Sequence, residues 1–386
     1  MKILVTTDLY TTATNGVVTS TKNLIDELQK RGHDVRVLTL SEDRHAHKEG
    51  SVGFIGSLSL EFIYPNIRMP KKCKSAWLRE LIEWKPDVIH SQCEFFTYPY
   101  ALKISQKTGA PIVHTFHTMY EDYVTYVIPF KKLGAAMVRR WVKDRLRKAR
   151  YVIAPTEKVK STLSSYGLKP EICVLPSGID LEKHKCMISN EARMQKRMEY
   201  GILPEHFVLL NLGRLGTEKN LDELINFFAK AYQKNNNLRL LIVGDGPARA
   251  ELENHAHASG LDGLVIFTGM VAPGEVSSYY QLGDLFVSAS TSETQGLTYI
   301  EASANGLPLL CRQDPCLQEV INNGKNGYAY TTEEEFHSYL DMIQADSAWC
   351  KAAKEESLLV AKKFDKVHFG EQAEHLYLSA IGSDKQ

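Results

Sequence analysis

Several features are scarce in this 386-residue chain. No run of 18 or more apolar residues occurs, so no membrane-spanning helix is expected. The opening MKILVTTDLY has one basic residue and turns polar by residue 6, as a first strand does and a signal peptide does not. The seven cysteines (Cys73, Cys93, Cys173, Cys186, Cys311, Cys316 and Cys350) are odd in number, scattered, and never form a C-x-x-C pair. Zinc and a disulfide framework are therefore disfavoured, and a reduced, cytoplasmic chain is expected. No G-x-x-x-x-G-K-[ST] is present, which weighs against an ATPase, and no G-x-G-x-x-G, which leaves a dinucleotide loop unsupported. VGDGPAR, at 243–249, lacks the third glycine. No nucleic-acid module, low-complexity segment or 20–50-residue repeat is found.

Apolar content of 44% and charged content of 24% are those of a soluble globular protein, long enough for two domains. The formal charge of zero hides a split. Residues 1–178 hold 27 Lys and Arg against 17 Asp and Glu, and the remainder holds 19 against 29. That asymmetry points to an anionic partner for the first half, or to two domains that differ in surface charge.

Short apolar runs alternate with helical patterns. Strands are expected at 2–6, 35–39, 87–90, 111–115, 151–154 and 172–175, with helices such as 18–31 and 97–107 between them. A second series follows at 207–212, 238–243, 264–267, 285–288 and 308–310. This alternation predicts an α/β chain of two doubly wound parallel sheets. The expected domains are 1–178 and 179–364, with LPSGID (175–180) between them. Ligands of such sheets sit beyond the carboxyl ends of the strands, so a cleft between two facing sheets is the default site.

Residues just past the strands carry the chemistry. GRLGTEKN follows strand 207–212 and places Arg214 and Lys219 in a glycine-containing loop that opens a helix near 221. Two cations beside fresh helix amides suit a diphosphate, although a solvated basic pair fits the same residues. SETQGLTYIEA, at 292–302, puts Glu293 in a loop and Glu301 on a helix of apolar character. Gly296 and Leu297 start that helix and offer amides to an anion. Glu301, one turn beyond Leu297, can accept two hydrogen bonds from a vicinal diol such as a ribose. Structural helix-cap carboxylates are the alternative. Asn15-Gly16 in TATNGVVTS is a turn signal where a phosphate could approach the backbone. In PIVHTFHTMYEDY, His114 lies within the apolar run as a core histidine. His117 lies just past it, where a neutral imidazole can bond a hydroxyl. No ligand cluster supports a metal at this pair.

Residues 130–150 hold nine Lys and Arg and one acid, Asp144. Leu133, Met137 and Trp141 fall four apart, with Val138, Val142 and Leu146 beside them. Lys131, Lys132, Arg139, Arg140, Lys143 and Arg147 flank that stripe, which reads as a basic amphipathic helix for an anionic membrane surface. Upstream aromatics (Phe95, Phe96, Tyr98, Tyr100, Phe116, Tyr120, Tyr123 and Tyr126) suit a lipid–water interface. A core-packed helix with a solvated cationic face is the alternative.

Together these motifs resemble the retaining glycosyltransferases of the GT-B fold, family 4, over nearly the whole chain. GRLGTEKN is similar to the family's donor-phosphate loop, Glu293 to Glu301 to its E-x7-E motif, Asn15-Gly16 to its N-terminal glycine loop, and His117 to its active-site histidine. HSQCEFF, HTFHTMYEDYVTYVIP and SETQGLTYIEA look most like bacterial diacylglycerol glucosyltransferases. Gln295 departs from the pattern, since many relatives carry an aromatic there.

The resemblance implies a GT-B architecture of two Rossmann-like domains facing across a cleft, with a C-terminal helix, about 365–386, packing back on the first. It implies a UDP-hexose donor, glucose or galactose, with no cofactor required. Donor-side residues would be Asn15, Gly16, Gly213, Arg214, Lys219, Gly244, Asp245, Gln295, Gly296, Leu297 and Glu301. His117 and Glu293 would hold the sugar, and the Arg214 and Lys219 cations would stabilise the departing diphosphate. The acceptor would be a diacylglycerol-type lipid at the inner face of the cell membrane, reached by a peripheral protein. A soluble or polysaccharide acceptor, a sugar epimerase on the same fold, and a non-catalytic module binding nucleotide-sugar and membrane are the alternatives.

Overall fold

The computed structural model describes residues 1–10, 15–60, 68–70, 76–123, 131–185 and 188–382, without the side chains of 76, 122, 123, 131 and 132. The chain forms two compact units, Met1–Gly178 with Lys366–Gln386, and Ile179–Asp365.

In the first unit, the described residues form a sheet in the order Glu171–Val174, Tyr151–Ala154, Ile112–Thr115, Val88–Ser91, Lys2–Thr6, Asp34–Leu40, Val52–Ile55, His47–Glu49. All neighbours are parallel except the last pair. Helices cover both faces, so the central strands are apolar on both sides. Ile3 and Val5 enter one core layer and Leu4 the other. The helix Lys366–Gly382 belongs to this unit. It buries Phe369, Ala373, Tyr377 and Ala380, spaced at helical intervals, against Leu24, Ile25 and Leu28 of the helix Gly16–Lys30. Arg31 and Glu374 pair across the two helices at 2.6 Å.

The second unit holds an all-parallel sheet in the order Val265–Gly269, Leu238–Val243, Phe207–Leu212, Leu285–Ser288, Leu309–Arg312, Gly327–Tyr330. Val208 and Leu210 face one layer and Leu209 the other.

Some elements were not legible. His47–Glu49 is an exposed, polar and charged edge strand, the composition that protects sheet edges and hides them from a hydrophobic pattern. Val52–Ile55, the antiparallel pair Ser57–Ser59 and Arg68–Pro70, and Gly327–Tyr330 are also additional to the expected strands. They are short, and only neighbouring strands give them their hydrogen bonds. The boundary between units falls after Asp365, because Ile179 and Asp365 bridge within the second unit.

Candidate functional site

The second sheet starts at Phe207–Leu212, runs outward on one side to Val265–Gly269, then returns to add Leu285–Ser288 on the other. The loops after Leu212 and Ser288 therefore flank a topological switch point, where open sheets bind ligands. In the first loop, Thr217–Lys219 forms a 3-10 turn, and Asn220 at φ 53° leads into the helix Leu221–Lys234. The Arg214 guanidinium donates to the carboxylate of Glu218, which is 7% exposed against 36% for the arginine. Lys219 Nζ meets Glu293 Oε1 at 2.5 Å, which joins the first loop to the second. Ser292 Oγ adds a hydrogen bond to the Glu218 carbonyl at 3.2 Å. Two cations thus stand at the strand ends, each held by a carboxylate.

Gly244 is required by packing. At φ 130°, a Cβ there would lie 2.0 Å from the Gly213 carbonyl oxygen. The two strand ends therefore approach too closely there for any side chain. Asp245 is likewise engaged within its loop, accepting from Gly246 N at 2.7 Å and pairing with Arg249 at 2.9 Å.

Gly296 sits before the helix Leu297–Ala304 at φ 74° and ψ 65°, with no side chain capping the helix amides. A Cβ there would fall 2.4 Å from the Tyr299 ring. A Cβ at Gly213 would lie 3.9 Å from Thr298 Cγ2, so the cationic loop runs alongside this helix start. Leu297 is half-buried and Gln295 buried beside it.

One turn on, Glu301 accepts from the Tyr280 hydroxyl at 2.9 Å. Burial pushes its carboxyl up to about 7, and the Tyr280 bond partly opposes that rise. Asn305 holds the helix end, donating to the Glu301 carbonyl at 2.9 Å and meeting His184 Nδ1 at 3.0 Å. The inner glutamates therefore have protein partners, Tyr280 for Glu301 and Lys219 for Glu293. Tyr280, His184 and Asn305 left no signal in the sequence, since a Tyr-Tyr pair in a helical run reads as core.

In the first unit the reading of Asn15-Gly16 as a turn is corrected. Asn15 is the N-cap of the helix Gly16–Lys30, its Oδ1 accepting from Val18 N at 2.9 Å. An orphan helix amide is the physical reason for an asparagine there. Asp8, past the first strand, accepts from Phe96 N, Thr97 N and Thr97 Oγ1 at 3.0, 2.7 and 2.6 Å. Burial raises its pKa and these bonds counter the rise.

His117 is half-buried, with Nε2 2.7 Å from Gln92 Oε1, and burial pushes its pKa down to about 4. It is neutral at physiological pH. His114 is a core residue, fully buried, with Nε2 2.9 Å from Glu94 Oε1. Tyr120 donates to the other Glu94 oxygen. Among the described residues no group of three or more His, Cys, Asp or Glu could hold a metal ion.

The basic segment forms the helix Lys131–Leu146, and its apolar residues divide between two faces. Val138, Val142 and Leu146 enter the core. Leu133 and Met137 are 56% and 54% exposed. Trp141 lies between, its ring 4.9 Å from that of Phe95, itself 42% exposed. Arg139, Arg140, Lys143 and Arg147 are exposed; Arg139 pairs with Glu121 at 3.0 Å. The side chains of Lys131, Lys132 and Tyr123, and all of Tyr126, lie outside the described residues. No described helix is long and apolar enough to cross a membrane.

Residues 14–183 match Glycosyltransferase Family 4, and residues 193–357 match Glycosyl transferases group 1. The chain is 33% identical to the alpha-monoglucosyldiacylglycerol synthase of Streptococcus pneumoniae, over 100% of this chain and 87% of that protein. It is 29% identical to the protein of the same description from Acholeplasma laidlawii, over 100% and 99%. The crystal structure of Anabaena HepE in complex with UDP is similar in fold, with a TM-score of 0.76 at 18% identity over 98% of this chain and 100% of that one.

Proposed function

Because the chain belongs to the family 4 glycosyltransferases of the GT-B fold, we propose that it moves a hexose, glucose from UDP-glucose in the first instance, onto a diacylglycerol-type membrane lipid. The observation that carries the lipid acceptor is the helix Lys131–Leu146. Its exposed Leu133 and Met137 lie among exposed cations, with Phe95 and Trp141 alongside. Exposed apolar groups on a helix that also exposes cations suit an anionic lipid surface better than open water. The similarity to two alpha-monoglucosyldiacylglycerol synthases supports the same reading.

The donor falls to the second unit. Its diphosphate takes Arg214, Lys219 and the amides at Leu297, where negative charge grows as the sugar leaves. The Lys219–Glu293 pair is exposed enough to exchange partners. Lys219 turns to phosphate and Glu293 is released to a sugar hydroxyl. Glu218 is more deeply buried and keeps Arg214 oriented. Glu301 takes the ribose diol.

In the transfer, the bond from the anomeric carbon to the β-phosphate oxygen breaks and the acceptor oxygen bonds to that carbon on the same face. Same-face attack retains configuration, and the acceptor proton passes to a β-phosphate oxygen. His117 offers a hydroxyl partner that stays neutral.

The test is incubation with a panel of radiolabelled UDP-hexoses and diacylglycerol in anionic micelles, followed by chromatography of the lipids. Labelled glycolipid from UDP-glucose is expected. Turnover onto soluble sugars, with no label in the lipid fraction and no pelleting with anionic liposomes, would replace the lipid acceptor with a soluble one.

A further inference from the structure

Beneath His117 runs a chain of buried polar side chains that ends on the C-terminal helix. Gln92 Oε1 lies 2.7 Å from His117 Nε2. The Gln92 amide nitrogen lies 3.1 Å from His90 Nε2, which is also 2.7 Å from Thr115 Oγ1. His90 Nδ1 lies 2.6 Å from the Tyr377 hydroxyl. Gln92, His90, Thr115 and Tyr377 are at most 3% exposed.

We infer that Gln92, His90 and Tyr377 are positioning residues that hold the His117 ring in one orientation and one tautomer; the inference rests on the role proposed above for His117.

The polarity of the chain follows from its donors and acceptors. An amide nitrogen can only donate, so His90 Nε2 is an acceptor and carries no proton. The His90 proton is then on Nδ1 and is donated to Tyr377. At the other end an amide oxygen can only accept, so His117 donates from Nε2 and its Nδ1 is an acceptor. Both rings are neutral, since burial holds His90 well below its ordinary pKa and His117 at about 4. His90 lies within the strand Val88–Ser91 and His117 two residues past the adjacent parallel strand Ile112–Thr115, while Tyr377 arrives from the far end of the sequence. The network is thus complete only when Lys366–Gly382 is docked on the first unit. A side chain that must present an acceptor to a sugar or lipid hydroxyl gains from a partner that fixes its tautomer.

The test is a double-mutant cycle between Tyr377→Phe and His117→Ala, read as kcat and KM for the donor and acceptor that give turnover, together with imidazole nitrogen NMR of the unliganded protein. Tyr377→Phe keeps the ring and removes one hydroxyl. It is expected to lower kcat by about two- to tenfold, the range one buried hydrogen bond spans, with KM little changed. In the His117→Ala background it should have no further effect. NMR should show His117 protonated at Nε2 in the wild type and a mixture of tautomers in Tyr377→Phe.

An equal loss in both backgrounds, or an unchanged His117 tautomer in both Tyr377→Phe and Gln92→Met, overturns the inference and leaves the role of His117 standing. Full activity in His117→Ala removes that role and the inference with it. The NMR readout needs no substrate, so it decides the positioning even where no turnover is found.

Discussion

The two units meet the same problem, polar groups at the carboxyl ends of a parallel sheet, in opposite electrostatic ways. In the second unit the groups are ions at loop tips, Arg214 on Glu218 and Lys219 on Glu293, partly open to water. In the first, beside the carboxyls of Asp8 and Glu94, runs a neutral chain that is buried below its half-buried end: His117 on Gln92, Gln92 on His90, His90 on Tyr377. Ions with some exposure can exchange partners, because water and an incoming phosphate compete with the carboxylate. A buried neutral chain cannot exchange without stranding a donor, so it holds geometry instead. Under the proposed function, charge neutralisation falls to the second unit and orientation to the first.

The largest expected effect tests whether the C-terminal helix serves the first unit alone. Phe369 is 3% exposed, and Phe369→Ala should cost about 3–5 kcal/mol of stability in that unit. Denaturant unfolding should show an earlier first transition, while UDP affinity measured by calorimetry stays the same. A matching fall in UDP affinity would break the division.

Next in size, Arg214→Ala and Lys219→Ala should each lower kcat about 10²–10³-fold, as loss of a charge-stabilising donor does. Wild-type turnover by the double variant would end the phosphate role.

A third test uses the buried carboxyl of Glu301, raised to about 7. Its ionised form, which in the proposed role accepts two hydrogen bonds from the ribose diol, grows as pH rises through 7. UDP affinity should therefore increase about tenfold from pH 6 to pH 8, and Glu301→Gln should flatten the profile. Tyr280→Phe removes a bond that lowers this pKa, so the midpoint should move upward. By linkage, the raised carboxyl favours the folded second unit below its ordinary pKa of 4.5, and that contribution is lost as pH rises through about 7.

The smallest steps concern the basic helix. Replacing Arg139, Arg140, Lys143 or Arg147 with glutamine should each weaken sedimentation with anionic liposomes by about 1 kcal/mol or less. The effect should fade at high salt and leave UDP binding untouched. Salt-independent binding would point to Leu133 and Met137 as the sole contact.

Legibility followed sequence distance. The places of Arg214, Lys219, Glu293 and Glu301 after strands and at a helix start could be read because a loop after a strand and a helix start are local patterns. The parallel sheets were legible because strands buried on both faces must be apolar throughout. The close approach of Gly244 to the Gly213 carbonyl was not legible, because it joins the ends of two neighbouring strands. The basic helix was located, but which of its apolar residues face water was not, because periodicity shows a stripe and not what covers it.

By itself the sequence determined which residues carry charge at the strand ends and which runs become strands, since both depend on neighbours a few positions away. Only the tertiary structure decided that Tyr377 reaches His90, that Tyr280 holds Glu301, and that Leu133 and Met137 stay exposed while Val138 and Val142 are buried. Those outcomes depend on which elements pack together. A hydrogen bond between residues 287 positions apart leaves no local pattern to read.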